Sequence, residues 1–183
     1  MTAAGDERPS VLIVDDEERV AQAFELWLGD GYRIDAAFGG KEALERIDET
    51  VDIVLLDRHM PGMSGETVLE RIEAGPYDPF VVMVTAVDPD VDIVGMPFDE
   101  YVSKPVDGAV LRDVVDRLSG LPAYGSRARE LHAVTGKLAA LEAEKTNAEL
   151  KSIERYTELS ERRDRLLGEL DREALPPWLL DEA

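Results

Sequence analysis

Three features of the sequence predict an α/β protein built on a parallel five-stranded sheet and carrying a helical appendage. Residues 53–56 and 80–84 are wholly apolar, without amphipathic alternation, which suits strands covered on both faces. Strand-sized runs alternate with helix-period segments up to about residue 120, the pattern of right-handed crossovers winding helices on both faces of one sheet. Beyond Gly120 the composition turns to Ala, Glu, Leu, Arg and Lys, with apolar residues in three-four spacing.

In chain order, residues 11–14 form a first apolar strand that ends in Asp15-Asp16-Glu17-Glu18. A first helix carries Val20, Ala23, Phe24, Trp27 and Leu28 at helical spacing, and Gly29 or Gly31 stops it. Residues 32–36 read as a second strand, and 41–47 as a helix opened by Gly39-Gly40. The third strand, 53–56, runs into Asp57 and then a loop containing Pro61, Gly62 and Gly65. A third helix covers about 65–72, and the fourth strand, 80–84, ends at Thr85. Pro89, Gly95 and Pro97 break the next helical signal, so a short or irregular fourth helix is expected. Residues 101–103 make the fifth strand, closed by Lys104-Pro105. A fifth amphipathic helix follows, with Ala109, Val110, Val114, Val115 and Leu118 on its apolar face.

The predicted division is a flexible N-terminus at 1–9, an α/β domain at 10–120, a linker at 121–126, a helical domain at 127–175 and a C-terminal tag at 176–183. In the helical domain Leu131, Val134, Leu138 and Leu141 form a seam. The same register then falls on Lys145, Ala148, Ser152 and Arg155, before apolar residues resume at Tyr156, Leu159, Leu166 and Leu170. One helix with a four-residue stutter and a hairpin turning near Thr146-Asn147 both fit, and the hairpin is favoured. Trp178-Leu179-Leu180 either packs back or docks elsewhere.

Composition narrows the function. The 183 residues contain no cysteine, which rules out disulfides, thiolate metal sites and cysteine nucleophiles. No apolar run is long enough to span a bilayer, and Met1 to Pro9 is not a signal sequence, so a soluble cytoplasmic protein is expected. The net charge is -20, with 27 acidic and 10 basic residues up to position 126 and 13 acidic and 10 basic beyond it. That surface repels nucleic acid and anionic lipid, and it matches proteins of salt-accumulating organisms, where screening relieves self-repulsion.

The strand ends bring Asp15, Asp16, Asp57, Thr85 and Lys104 to one edge of the sheet, where open α/β sheets bind ligands. Taken singly, each has a plain structural reading, such as the acids of 15–18 complementing a helix N-terminus. Taken together, three carboxylates without a counter-ion suit a hard divalent cation held by oxygen.

This order of residues resembles the receiver domain of two-component response regulators over residues 10 to about 120. The resemblance rests on the acid pair after the first strand, Asp57-x-x-Met60-Pro61-x-x-x-Gly65, Thr85-Ala86 and Tyr101-x-x-Lys104-Pro105. It implies a flavodoxin-like sheet of order 2-1-3-4-5. It also implies that Asp57 accepts a phosphoryl group from a phosphohistidine on a sensor histidine kinase. Mg2+ is then held by Asp16, Asp57 and the backbone carbonyl of His59, with Asp15 acting through water. Lys104 and Thr85 contact the phosphoryl oxygens, Thr85 and Tyr101 form the switch, and the Lys104-Pro105 bond is cis. Such a protein is a signalling phospho-acceptor and not an enzyme in its own right. The tail resembles the HalX domain that follows receivers in halophilic archaea, through residues 138–145 and 156–159.

Two other functions fit less well. A transcriptional regulator acting through the tail lacks a basic recognition helix there. An aspartyl-nucleophile phosphohydrolase needs a second acid two residues after the nucleophile, where this chain has His59. The tail, without catalytic or basic clusters, suits pairing, with homodimerisation through it or through the receiver as an option. No nucleic acid or membrane partner is expected.

Overall fold

The computed structural model describes residues 8–182. Most of the N-terminus expected to be flexible, and Ala183 of the C-terminal tag, lie outside the described residues. Five parallel strands, β1 (Ser10–Val14), β2 (Arg33–Ala37), β3 (Ile53–Leu56), β4 (Phe80–Thr85) and β5 (Glu100–Ser103), stand in the order β2-β1-β3-β4-β5. Four helices wind around them: α1 (Glu18–Leu28), α2 (Gly40–Arg46), α3 (Gly65–Glu73) and α4 (Gly108–Gly120). β3 and β4 are buried along their whole length, as their unbroken apolar runs require.

The register fixes where the site lies. Val14 pairs with Leu56, Leu56 with Met83, and Met83 with Tyr101, so β1 and β3 finish level while β4 and β5 run two residues further, to the pair Thr85 and Ser103. The residues just beyond those pairs therefore share one edge.

The short, irregular fourth helical segment takes the form of a five-residue 3-10 turn, Val91–Gly95, so four α-helices wind the sheet. Asp90 caps the turn by accepting the Val91 N–H at 2.7 Å, and Gly95 and Pro97 stop it from continuing as an α-helix. One expectation is corrected. In α4 the inward face is Leu111, Val114, Val115 and Leu118, whereas Ala109 and Val110 face solvent, Val110 being 51% exposed. Starting the helix at Gly108, with Asp107 accepting from the Ala109 N–H at 2.7 Å, sets that phase.

The expected linker is itself ordered. Leu121–Tyr124 form a 3-10 turn whose Leu121 is fully buried with the α4 core. Beyond it the tail is a hairpin and not one long helix: α5 (Ser126–Glu144), a short α6 (Asn147–Lys151) and α7 (Glu154–Glu169). The reversal sits at Thr146, whose hydroxyl accepts from the Glu149 N–H while the Glu149 carboxylate takes the Thr146 N–H at 2.9 Å. Such a reciprocal cap satisfies donors that would be orphaned at a helix start. Arg127 near the start of α5 pairs with Glu169 at the end of α7, so the two helices run antiparallel.

α5 lies along β5, the edge strand of the sheet. Its Leu131, Val134 and Leu138 join the core on the α1/α4 face, and its Leu141 joins the core on the α2/α3 face. An edge strand carries unpaired backbone groups and draws other strands, and here a helix of the same chain covers it. Gly136 allows the approach, since a Cβ there would stand 3.3 Å from a Glu100 carboxylate oxygen. Arg129 reaches Asp99 at 2.6 Å and the Pro79 carbonyl at 2.8 Å, and stacks over Phe80 at 4.3 Å. The C-terminal tag packs back as α8 (Pro177–Glu182): Leu179 is buried, and Trp178 stands edge-on to His132 at 5.5 Å.

Candidate functional site

The shared edge holds the predicted residues together. Asp15 is 2% exposed, and one of its oxygens accepts the Glu17 N–H at 2.8 Å, which turns the other oxygen across the sheet edge. Asp57 is also buried, and Asp16 is exposed. One carboxylate oxygen from each of these three acids lies within 4.8 Å of the others. Lys104 reaches in from the end of β5, its Nζ 2.6 Å from Asp15 and 3.6 Å from Asp57. The Lys104-Pro105 peptide bond is cis.

Thr85 closes β4, 1% exposed, and its hydroxyl accepts the Val87 N–H at 3.3 Å. Tyr101 is buried, and its hydroxyl donates to the Val87 carbonyl. The two predicted switch residues are thus tied to the same backbone unit. Burial raises the pKa of the Tyr101 hydroxyl above its ordinary value. The His59 side chain is exposed and adds nothing to the acid cluster, which leaves its carbonyl as the group in question.

Gly65 accounts for the spacing of the loop after Asp57. Its N–H bonds the Arg58 carbonyl at 2.9 Å, and a Cβ on it would stand 2.1 Å from the Asp57 carbonyl oxygen. Only glycine lets α3 start directly against Asp57. Ser64 caps that helix, accepting from the Thr67 N–H at 3.3 Å.

The donor set suits magnesium. It consists of carboxylate oxygens alone, two of them from buried residues, with one ammonium among three acids. The resulting excess of negative charge is what a hard divalent cation neutralises.

Arg58 was missed from the sequence. Its side chain is 9% exposed, with Nε 2.6 Å from Glu66 and Nη2 on the Asp92 carboxylate. Burial alone would lower its pKa, but the hydrogen bonds to Asp92 and Glu66 more than offset this and raise it. The available signal was an arginine directly after a buried strand, where a charge needs partners, with Glu66 on the next helix.

The family model for the response regulator receiver domain matches residues 11–116, and that for the HalX domain matches residues 120–175. A candidate transcriptional regulator of Haloferax volcanii is 42% identical over 160 residues, covering 87% of this chain and 27% of that protein. The regulatory protein VanR of Enterococcus faecium is 39% identical over 100 residues, covering 52% of this chain and 43% of that one. This chain therefore spans less than half the length of either relative. Among solved structures, the response regulator TrrA of Thermotoga maritima, in complex with Mg2+-BeF, is 32% identical with a TM-score of 0.53 over 60% of this chain and 98% of that one. A CheY-like receiver domain from Methanospirillum hungatei is 26% identical with a TM-score of 0.54, covering 61% of this chain and 94% of that one. The receiver match takes in more than half of the chain, and the edge it spans is the one that gathers Asp15, Asp57, Thr85 and Lys104, so the chain belongs to the receiver family of two-component response regulators.

Proposed function

We propose that Asp57 is the phospho-acceptor of this response regulator, and that it takes a phosphoryl group from a phosphohistidine of a sensor histidine kinase. The observation that carries this reading is the convergence of Asp57 with a second buried acid, Asp15, and one lysine on a single sheet edge. An Asp57 carboxylate oxygen attacks phosphorus in line, the P–N bond breaks, and the histidine leaves with the electron pair and takes up a proton. The protein's contribution is placement and charge neutralisation. Lys104 offers its ammonium to one phosphoryl oxygen, and the Thr85 hydroxyl, released from Val87, donates to another.

Asp15, Asp16, Asp57 and the His59 carbonyl are the groups that would hold Mg2+, which supplies positive charge to the phosphoryl oxygens. The protein acts as a signalling phospho-acceptor and not as an enzyme on external substrates. Its place of action is the cytoplasm, and the described residues include no helix long and apolar enough to cross a membrane. The units in this reading are a receiver over 10–120 and a helical domain over 127–175, with output through the tail or a partner protein. A phosphohydrolase reading loses support from His59, which is exposed where a second acid is needed.

Incubating the protein with a small acyl phosphate and Mg2+ and weighing it intact tests the assignment. The wild type should gain one phosphoryl group only with the metal present, and Asp57→Asn none. A phosphorylated Asp57→Asn protein sinks the proposal.

A further inference from the structure

Arg58 has no part in the chemistry proposed above, yet among the described residues it is the only lysine or arginine that is buried, 7% exposed. It directly follows Asp57 and joins four elements. Its backbone continues β3, Nε holds Glu66 in the first turn of α3, Nη2 holds Asp92 in the 3-10 turn 91–95, and the guanidinium faces the Tyr101 hydroxyl of β5.

The 91–95 turn is where the tail rests. Lys145, just past the end of α5, pairs with Asp90 at 3.0 Å on one side of the turn. Lys137 of α5 donates to the Met96 carbonyl at 2.6 Å on the other side, its ammonium 4.9 Å over Phe98. Both α5 and α7 pack on the turn. Five residues of 3-10 helix have little cohesion of their own, so outside contacts set the turn's position. The path from acceptor to tail is short: one peptide bond, the Arg58–Asp92 pair, the turn, and two lysines.

We propose that Arg58 is a positioning residue that reports the state of Asp57 to the helical tail through Asp92. The inference rests on Asp57 being the acceptor. Phosphorylation adds roughly 1.5 to 2 negative charges to the residue that directly precedes Arg58, and so changes the field around a guanidinium already shared between two carboxylates. Glu66 cannot follow freely, because Gly65 holds the start of α3 against the Asp57 carbonyl. Asp92 sits on the weaker element, so the Arg58–Asp92 pair loosens first. The turn then releases Lys137 and Lys145, and the half of α5 nearest them opens.

Hydrogen exchange of the full chain, with and without acyl phosphate and Mg2+, tests this beside intact mass and melting temperature. In the wild type, exchange over residues 91–95 and 137–145 should rise about tenfold on phosphorylation, a usual coupling size. In Arg58→Gln and Asp92→Asn it should already be raised in the unmodified protein and change less than about twofold, with uptake by Asp57 undiminished. Arg58→Lys, which keeps the charge but can hold only one carboxylate well, should restore part of the response. A mere strut would lower the melting temperature of Arg58→Gln while leaving the wild-type phosphorylation difference intact, and that result overturns the proposal. If the wild type takes up no phosphoryl group, the acceptor reading fails on its own. Unmodified Asp92→Asn still decides this one, since wild-type protection at 137–145 would defeat it.

Discussion

The ammonium of Lys104 lies closer to Asp15, at 2.6 Å, than to Asp57, at 3.6 Å. In this state the lysine sits where a cation bound by Asp15 would compete with it. Removing it leaves two buried carboxylates without their partner, a costly arrangement that a metal relieves. Lys104→Ala should therefore bind Mg2+ more tightly, by roughly fivefold for the loss of about 1 kcal/mol of competition, while taking up phosphoryl groups more slowly. Calorimetric Mg2+ titration beside a phosphorylation time course checks both; weaker Mg2+ binding in the variant refutes the competition.

Gly65→Ala should destabilise the protein by about 2–3 kcal/mol through overpacking. The new Cβ has to displace the Asp57 carbonyl and the Arg58 Cα, which would lie 2.1 and 2.9 Å away. Both are backbone, so neither can swing aside. A urea midpoint at the wild-type value would show that α3 can start further from Asp57 than it does.

These two sites were legible in the sequence to different degrees. The carboxyl ends of parallel strands lie along one edge of the sheet, so Asp15, Asp57, Thr85 and Lys104 could be placed there from strand runs alone, and the family pattern assigned their roles. The hairpin was legible from the lapse of the apolar seam at 145–155, although the capping box Thr146-x-x-Glu149 that fixes the turn was not read. Apolar type alone places Val110 in the core, whereas the helix phase that Asp107 sets turns it to solvent. Arg58 and the docking of α5 on β5 were out of reach for a different reason. Each depends on pairings between residues far apart in sequence, Arg58 with Asp92 and Arg129 with Asp99, that no local period encodes.

Removing residues 126–183 should leave a receiver that self-associates. The cut exposes the β5 edge and, in both cores, the surfaces now covered by Leu131, Leu138 and Leu141. Light scattering of the truncated and full chains at matched concentration checks it. A monodisperse, monomeric truncation would mean that the tail is not what protects that edge.

Stability should fall as the pH rises above about 10, the ordinary tyrosine value. The hydrogen bond from Tyr156 to Glu142, with some burial, pushes the tyrosine's pKa up to about 12. Burial and Asp116 raise that of Tyr32. A raised pKa means the folded state keeps a proton that the unfolded chain has lost. The stabilisation is therefore whole below the unfolded value and, for Tyr156, disappears between about pH 10 and 12. Urea midpoints at pH 9, 10 and 11 should decline in the wild type and decline less in Tyr156→Phe and Tyr32→Phe. Equal slopes in all three would refute the assignment.

Salt should stabilise the protein, although screening works in both directions here. It weakens attractive surface pairs such as Arg162–Glu130 and Arg127–Glu169 in the tail, each worth roughly 0.2–1 kcal/mol at most. It also weakens repulsion among the 27 acidic residues up to position 126, which face only 10 basic ones. Several of those bases, Arg46, Arg58 and Lys104 among them, are already engaged by neighbouring carboxylates and do little for the rest of the surface. The acids left over act over the whole domain, so the repulsive sum outweighs a few exposed pairs. Raising potassium chloride from low to molar concentration cuts the Debye length to about 3 Å. A gain of about 2–3 kcal/mol follows, or roughly 5–10 °C in melting temperature for a chain of this size. Thermal melts across that range, with Mg2+ held constant to separate charge screening from filling of the acid cluster, check the sign. A flat or falling melting temperature would show that the paired charges, and not the unpaired acids, dominate the surface.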